Sequence, residues 1–423
     1  MADLQNGTLV TLTDGEQAKI IKELGRGGQG IVYLVDYQHN QYALKWYIKE
    51  PNEQFYENLQ SNTKSGAPTN AFLWPLKVTR REYGSFGYIM KLRPEGYYEL
   101  GSDFLLAKVR FASISAMINA AIKIIEGFEV LHLHGYSYQD LNDGNFFVRP
   151  TDGDVLICDN DNVCATGENL GIGGKMRYMA PEVVDGAKPN TYSDRFSLSI
   201  VLFLLFFGNH PLEGKKIISC PCMTEELEKK VYGKESLFIY DANNKDNLPV
   251  RGVHPNVIAR WPVFPESLRQ AFIDSFNRTA IENPTKRYLD SKWKSIVCAL
   301  RNELIVCTYC KQETFVNIQS PGVCIECGKS IHLPCYINTK YGKIAISPQK
   351  YIYLGESSQP VAIVRVKNAD PSVWEMQNIS EKSWTVETPS GKIKEVPKGE
   401  VMPAKAGLKV TFNQQEKGEI CSD

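Results

Sequence analysis

The stretch that decides the fold is Tyr136–Asp161, YSYQDLNDGNFFVRPTDGDVLICDND. Two short apolar runs, Phe146-Phe147-Val148 and Val155-Leu156-Ile157, flank the turn-forming Pro150-Thr151-Asp152-Gly153, which predicts a β-hairpin. Asp140 and Asn145 precede the first strand and Asp159 follows the second, so three oxygen-bearing side chains meet at one end of the hairpin. Hard divalent cations take oxygen ligands, and Mg²⁺ usually takes only one or two of them from protein, with phosphate oxygens beside them. Asn145 and Asp159 are therefore candidate metal ligands, and Asp140 a candidate base. Asx residues capping a hairpin would give the same letters, so the surrounding chain has to decide.

With 423 residues, the chain is long enough for two or three domains, and 43% hydrophobic and 23% charged residues are ordinary globular values. Lys+Arg and Asp+Glu balance at 48 each, so no overall field favours nucleic acid or an anionic membrane, and neither is expected as a partner. The N-terminus MADLQNGTLV lacks the features of a signal peptide, and the longest apolar run, Leu198–Phe207, falls short of the ~20 residues that span a bilayer. The expectation is a cytoplasmic protein. Eleven cysteines are too sparse for a disulfide scaffold, and four of them form two Cys-x-x-Cys pairs, which points to metal.

Residues 18–47 read as three strands, with a glycine-rich turn between the first two. In LGRGGQGIVY, Gly25, Gly27 and Gly30 with Val32 give a G-x-G-x-x-G-x-V spacing, and Gly28 adds a further bare backbone position suited to approaching phosphate oxygens. A dinucleotide-binding turn would open a helix; here the β-branched run Ile31–Val35 follows instead. Lys45 lies in the apolar strand Tyr42–Tyr47 and needs an anionic partner. After Pro51 a helix carries Phe55, Tyr56 and Leu59 on one face, and a helix glutamate is expected to meet Lys45. Periodicity leans to Glu53, while sequence distance equally allows Glu57. Gly84–Leu92 is another strand, and Arg93-Pro94-Glu95-Gly96 breaks the chain where a hinge between two lobes belongs.

Ile114–His134 is apolar at helical spacing and delivers the chain to Asp140, with His132 and His134 read as helix-end packing or exposed residues. Beyond Asp159 come a glycine-rich loop, Ala180-Pro181-Glu182, and TYSDRFSLSIVLFLLFFG. The last is a helix apolar nearly all round, with Asp194 near its start placed to cap backbone donors. Over roughly 14–302 these residues resemble the eukaryotic-type (Hanks-type) Ser/Thr protein kinases. Gly25-x-Gly27-x-x-Gly30-x-Val32 resembles the glycine-rich loop and Ala43-Leu44-Lys45 the lysine strand. Asp140 and Asn145 match the catalytic loop, Asp159 the metal aspartate, Ala180-Pro181-Glu182 the end of the activation segment, and Arg287 the arginine that pairs with Glu182. FLWP (72–75), YQDLNDGNFF, LICDNDNV and NHPLEGK are similar to a bacterial subfamily whose genes accompany a PP2C-type phosphatase and a von Willebrand factor A protein in tellurite-resistance-like clusters; these two are the partners the resemblance implies.

What the resemblance implies is a bilobal α+β protein-kinase fold that transfers the γ-phosphoryl group of ATP to Ser or Thr hydroxyls with Mg²⁺ or Mn²⁺. Gly25, Gly27, Gly28 and Gly30 would cover the phosphates, Lys45 with Glu53 would align them, Asn145 and Asp159 would hold the metal, and Asp140 would orient the hydroxyl. Val32, Ala43 and Met90 would meet the nucleotide, Met90 at the back of the adenine pocket. The chain also departs from the family. Tyr138-Gln139 stands where His-Arg is usual, so loop phosphorylation is not the expected switch. Asn160-Asp161 replaces Phe-Gly, and Asp161 could add a metal carboxylate. Asn142 replaces the lysine that usually touches the transferred phosphate, and Lys175 replaces a threonine near the substrate loop, changes expected to slow transfer. A nucleotide-binding pseudokinase scaffold and an AMP-transferring enzyme on the same fold remain open.

Cys307-x-x-Cys310 and Cys324-x-x-Cys327, thirteen residues apart, are spaced to place four thiolates around a tetrahedral Zn²⁺, with His332 and Cys335 as packing residues beside it. After Tyr341, short alternating strands such as YIYL, VAIVRV, SWTVET and LKVTF predict a small sandwich-like all-β module that loosely resembles forkhead-associated or immunoglobulin-like domains. The expected organisation is a kinase domain at 14–302, its N-lobe about 14–92 and C-lobe about 93–302, then a zinc ribbon at 303–340 and the β module at 341–423.

Overall fold

The computed structural model describes residues 3–171, 174–220, 222–367 and 370–422. Six antiparallel strands open the chain: β1 (Leu9–Thr11), β2 (Gln17–Arg26), β3 (Gly30–Tyr37), β4 (Asn40–Tyr47), β5 (Lys77–Val78) and β6 (Gly87–Lys91), in the order β1-β2-β3-β4-β6-β5. The sheet thus starts ahead of residue 14. Period-two alternation gives it two apolar faces. Val10, Ile20, Tyr33, Val35 and Leu44 pack on one side, while Ala43, Tyr47, Tyr88 and Met90 turn inward to meet α1 (Glu53–Ser65) through Phe55 and Leu59. Asn52 starts α1 by accepting the Phe55 N–H at 2.9 Å.

A second lobe is built on helices. Helix α2 (Ile114–Leu133) and α4 (Thr191–Phe207) share one large apolar core, and the short α3 (Pro181–Val184) precedes α4. Between them lies the predicted hairpin, β9 (Phe146–Val148) paired with β10 (Val155–Ile157); β7 (Tyr98–Glu99) extends it and β8 (Tyr136–Ser137) leads into it. Gly153 in the hairpin turn has φ +74°, and a Cβ there would sit 1.9 Å from the Ala116 carbonyl oxygen. Only glycine lets this turn press against the first turn of α2. The cap of α4 is Asn190 in a capping box, so Asp194 serves a different set of donors.

Beyond helix Asp290–Glu303, strands Leu304–Val306 and Glu313–Phe315 form a hairpin whose turn holds Cys307 and Cys310. Glu313 reaches from it to the start of α2, accepting the Ser115 N–H at 2.8 Å and its hydroxyl at 2.5 Å. The first turn of α2 has no acidic residue of its own, so this carboxylate complements the helix dipole from outside. The chain ends in a six-stranded and a four-stranded antiparallel sheet with a common apolar cluster that includes Ile337, Ile352, Val364, Met376, Trp384 and Val410. Strand Tyr336–Thr339 pairs with Lys417–Cys421 in the larger sheet, although it precedes the expected boundary at 341. Cys335 packs in this cluster and His332 is exposed. No helix among the described residues is long and apolar enough to cross a membrane.

Candidate active site

The cleft between the lobes gathers most of the expected residues. The glycine turn closes with Gly27 N–H bonded to the Gly30 carbonyl at 2.9 Å. A Cβ at Gly30 would lie 2.7 Å from the Trp46 carbonyl oxygen, whereas positions 25 and 28 face open space. Behind the turn, register places Val32 opposite Lys45 and Ala43 opposite Met90. Val32, Ala43 and Met90 join Leu156 of β10 in one apolar cluster, a surface drawn from both lobes and suited to a flat aromatic base.

Lys45 is almost fully buried, and its Nζ lies 2.9 Å from Asp161 and 3.2 Å from Asp159. Burial works against its charge, but Asp161 and then Asp159 outweigh it and raise the pKa above the ordinary lysine value. The Tyr47 hydroxyl donates to Asp161 at 2.5 Å. This corrects the expected glutamate partner. Glu53 is the first residue of α1, is 62% exposed, and pairs with Arg81 at 2.7 Å; Glu57 is also exposed. The inward face of α1 carries Phe55, Leu59 and Asn62, which leaves no acid for the lysine. Asp161, expected as an extra metal ligand, is instead wholly buried against Lys45 and Tyr47. The period of β4 puts Lys45 and Tyr47 on one face, a signal that could have exposed the pairing.

Asp140, Asn142 and Asn145 are woven together. Asn145 Nδ2 donates to the Asp140 carbonyl at 2.7 Å, and Asn142 Nδ2 donates to the Asp140 carboxylate at 3.2 Å. Burial is the main influence on Asp140 and pushes its pKa up, against the Asn142 hydrogen bond and the Lys175 backbone. Across the hairpin, the Cys158 N–H binds the Asn145 carbonyl at 2.8 Å and so brings Asp159 to the same end. Asp159 is left-handed at φ +53°, and its side chain remains 47% exposed. Asn145 and Asp159 are oxygen donors that fit a hard divalent cation. Asn160, in place of a packing aromatic ring, is buried and donates to the carbonyls of Leu73 and Ile157 at 3.0 and 2.9 Å.

The loop is supported from beneath. Asp194 accepts the backbone N–H groups of Tyr138 at 2.6 Å and Gln139 at 3.2 Å. His132 bridges Asp194 at 3.3 Å and Asp290 at 2.8 Å, so it is a buried ionic link rather than simple packing. Burial disfavours its charge, yet hydrogen bonds to Asp194 and Asp290 carry its pKa up to about 9. Gln139 reaches the segment after Asp159 through the Glu168 carbonyl at 2.8 Å. Glu182 and Arg287 make a bidentate pair with two contacts of 2.7 Å.

At the cysteine hairpin the four Sγ atoms of Cys307, Cys310, Cys324 and Cys327 all lie within 4.8 Å of one another. Sulfurs ~2.3 Å from a central tetrahedral ion stand about 3.8 Å apart. The Cys307–Cys327 and Cys310–Cys324 separations are 3.8 and 3.7 Å, so the thiols fit such an ion.

The description "protein kinase domain" matches residues 18–245. Over 326 residues the chain is 24% identical to Protein kinase YegI of Escherichia coli (strain K12), covering 70% of this chain and 47% of that protein. It is 25% identical over 211 residues to the probable serine/threonine-protein kinase gdt4 of Dictyostelium discoideum, covering 47% of this chain and 12% of that protein. It is also 25% identical over 205 residues to human mitogen-activated protein kinase kinase kinase 13, covering 46% of this chain and 19% of that protein. The chain spans less than half the length of these relatives. With the family match extending over more than half of its residues, this chain belongs to the protein kinase domain family.

Proposed function

We propose that the chain is an ATP-dependent kinase that transfers the γ-phosphoryl group to Ser or Thr hydroxyls of itself or of partner proteins. The observation that carries this reading is the convergence of Lys45, Asp140, Asn145 and Asp159 in one cleft between the lobes. Mg²⁺, held by Asn145 and Asp159, would supply charge neutralisation at the phosphates. Lys45, held by Asp161, aligns the phosphates under the glycine turn, and Val32, Ala43 and Met90 take the adenine. The acceptor oxygen bonds to the γ-phosphorus, the bond to ADP breaks, and the hydroxyl proton passes to the Asp140 carboxylate. Purified protein given radiolabelled ATP should label itself or a partner, and Lys45→Met and Asp159→Asn should each abolish the signal; labelling that survives both changes refutes the reading.

Zn²⁺ is the ion proposed for the four thiolates, since a closed tetrahedral sulfur set is its usual structural site. Metal analysis giving less than about half an equivalent after careful purification would exclude it. The parts divide near 14–302, 303–340 and 341–423, with strand Tyr336–Thr339 drawing the last boundary toward 335. The two terminal sheets on a common cluster support a sandwich-like module for protein binding. A PP2C-type phosphatase and a von Willebrand factor A protein are proposed partners, and the cytoplasm the proposed location, on the sequence resemblance alone. A pseudokinase scaffold is favoured by one observation, the double pairing of Lys45 to Asp159 and Asp161. ATP binding by thermal shift with no transfer to any acceptor would select it.

A further inference from the structure

The sequence places an amide, Asn142, two residues after Asp140, which leaves the base without a neighbouring cation on its own loop. In the structure a cation arrives from elsewhere. Lys175 Nζ donates to Asn142 Oδ1 at 2.9 Å, and both the backbone and the charge of the same residue act to lower the pKa of Asp140. Asn142 is fixed for this task. Its Oδ1 also accepts the Gly144 N–H at 3.1 Å, and its Nδ2 donates to Asp140. Two glycines make the approach possible. A Cβ at Gly174 would lie 3.1 Å from the Gln139 carbonyl oxygen and 3.2 Å from Asp140 Oδ1. One at Gly144 would lie 3.2 Å from Asn142 Oδ1 and 3.7 Å from Lys175 Nζ.

The two lysines of the cleft differ in how their charge is met. Lys45 is neutralised by Asp159 and Asp161. Lys175 makes no ion pair among the described residues; its side chain rests on a neutral amide. An ammonium carries three donors, so two remain for an anion beside the base, where charge concentrates as a phosphoryl group moves to a hydroxyl.

We propose that Lys175 is a catalytic residue whose ammonium touches the equatorial oxygens of the γ-phosphoryl group during transfer, supplying from position 175 the cation that position 142 lacks. This rests on the phosphoryl-transfer reading above. Lys175 stays protonated throughout: the phosphorus–oxygen bond to ADP breaks, the bond to the acceptor oxygen forms, and the proton goes to Asp140. The expected slowing from Asn142 is then offset, because the positive charge is relocated rather than lost.

The test is steady-state phosphorylation of dephosphorylated casein with ATP and Mg²⁺ by the full chain. Lys175→Gln keeps a donor for Asn142 and removes the charge. It should lower kcat by about 100-fold, as loss of one donor to a developing oxyanion does, while KM for ATP stays within about threefold and the Tm is unchanged. Lys175→Arg should retain most activity. Restoring the charge on the loop, Asn142→Lys with Lys175→Gln, should recover at least about tenfold over the single variant. Lys175→Gln with kcat within about threefold of wild type overturns the proposal, as does a double variant of wild-type Tm with no recovery. Wild-type protein that binds ATP and transfers nothing refutes the kinase reading itself, and this proposal with it.

Discussion

At Lys45 the choice of partner sets a testable division of labour. Asp161 is wholly buried at 2.9 Å, whereas Glu53 is 62% exposed on Arg81. Removing Asp161 leaves the buried ammonium with only the half-exposed Asp159 to compensate it. Asp161→Asn should therefore destabilise the fold by about 3 kcal/mol in denaturant unfolding and weaken ATP binding. Glu53→Ala should change stability by less than about 1 kcal/mol and leave ATP affinity alone, since exposed pairs contribute little. ATP affinity that falls more with Glu53→Ala than with Asp161→Asn would reverse these roles. The identity of the lysine was legible in the sequence, because a charged residue in an apolar strand after a glycine turn is a local pattern. Its partner was missed: the apolar face of α1 was read from Phe55 and Leu59, but Asp161 lies 116 residues beyond the lysine and only the tertiary fold brings the two together. The approach of Lys175 to Asn142 was hidden for the same reason: it joins positions 33 residues apart.

The elements themselves were the most readable level. The hairpin β9–β10 forms on the two apolar runs with its turn at Gly153, and α4 is buried nearly all round as its composition demands. What sequence periodicity missed was the link between elements. His132 at the end of α2 ties Asp194 of α4 to Asp290 of helix Asp290–Glu303. Its pKa is raised from 6.5 to about 9, so the imidazolium is favoured by folding. The stabilisation is fully present below pH 6.5 and is lost as pH rises through about 9. Urea unfolding should show stability falling across that window, and His132→Asn should be less stable at pH 6 and flatten the slope. An unchanged slope in the variant would remove His132 from the account.

For the whole molecule, the order of motifs from Gly25 to Arg287 announced the two-lobed arrangement, while the joins between its parts are tertiary and left no local trace. The clearest is Glu313, which binds the start of α2 from the cysteine hairpin. With an ion at the four thiolates as proposed, its removal by a chelator should free Cys307 and Cys310, loosen that hairpin and lower the Tm of the kinase lobes by roughly 4 °C or more. Glu313→Ala should make the lobes indifferent to the chelator, as followed by ATP-dependent thermal shift. A chelator effect of the same size in Glu313→Ala would show that the contact does not transmit it.

That contact also runs in the other direction. Linkage between two binding events is symmetric in free energy. If metal at the four thiolates steadies α2, and through it the cleft at Asp140, then a nucleotide seated in the cleft must tighten the equilibrium binding of the metal by the same factor that the metal tightens binding of the nucleotide. An ion in the cysteine hairpin would thereby report on the occupancy of a distant cleft, and the chelator concentration that half-removes it at equilibrium would measure nucleotide binding without any phosphate being transferred.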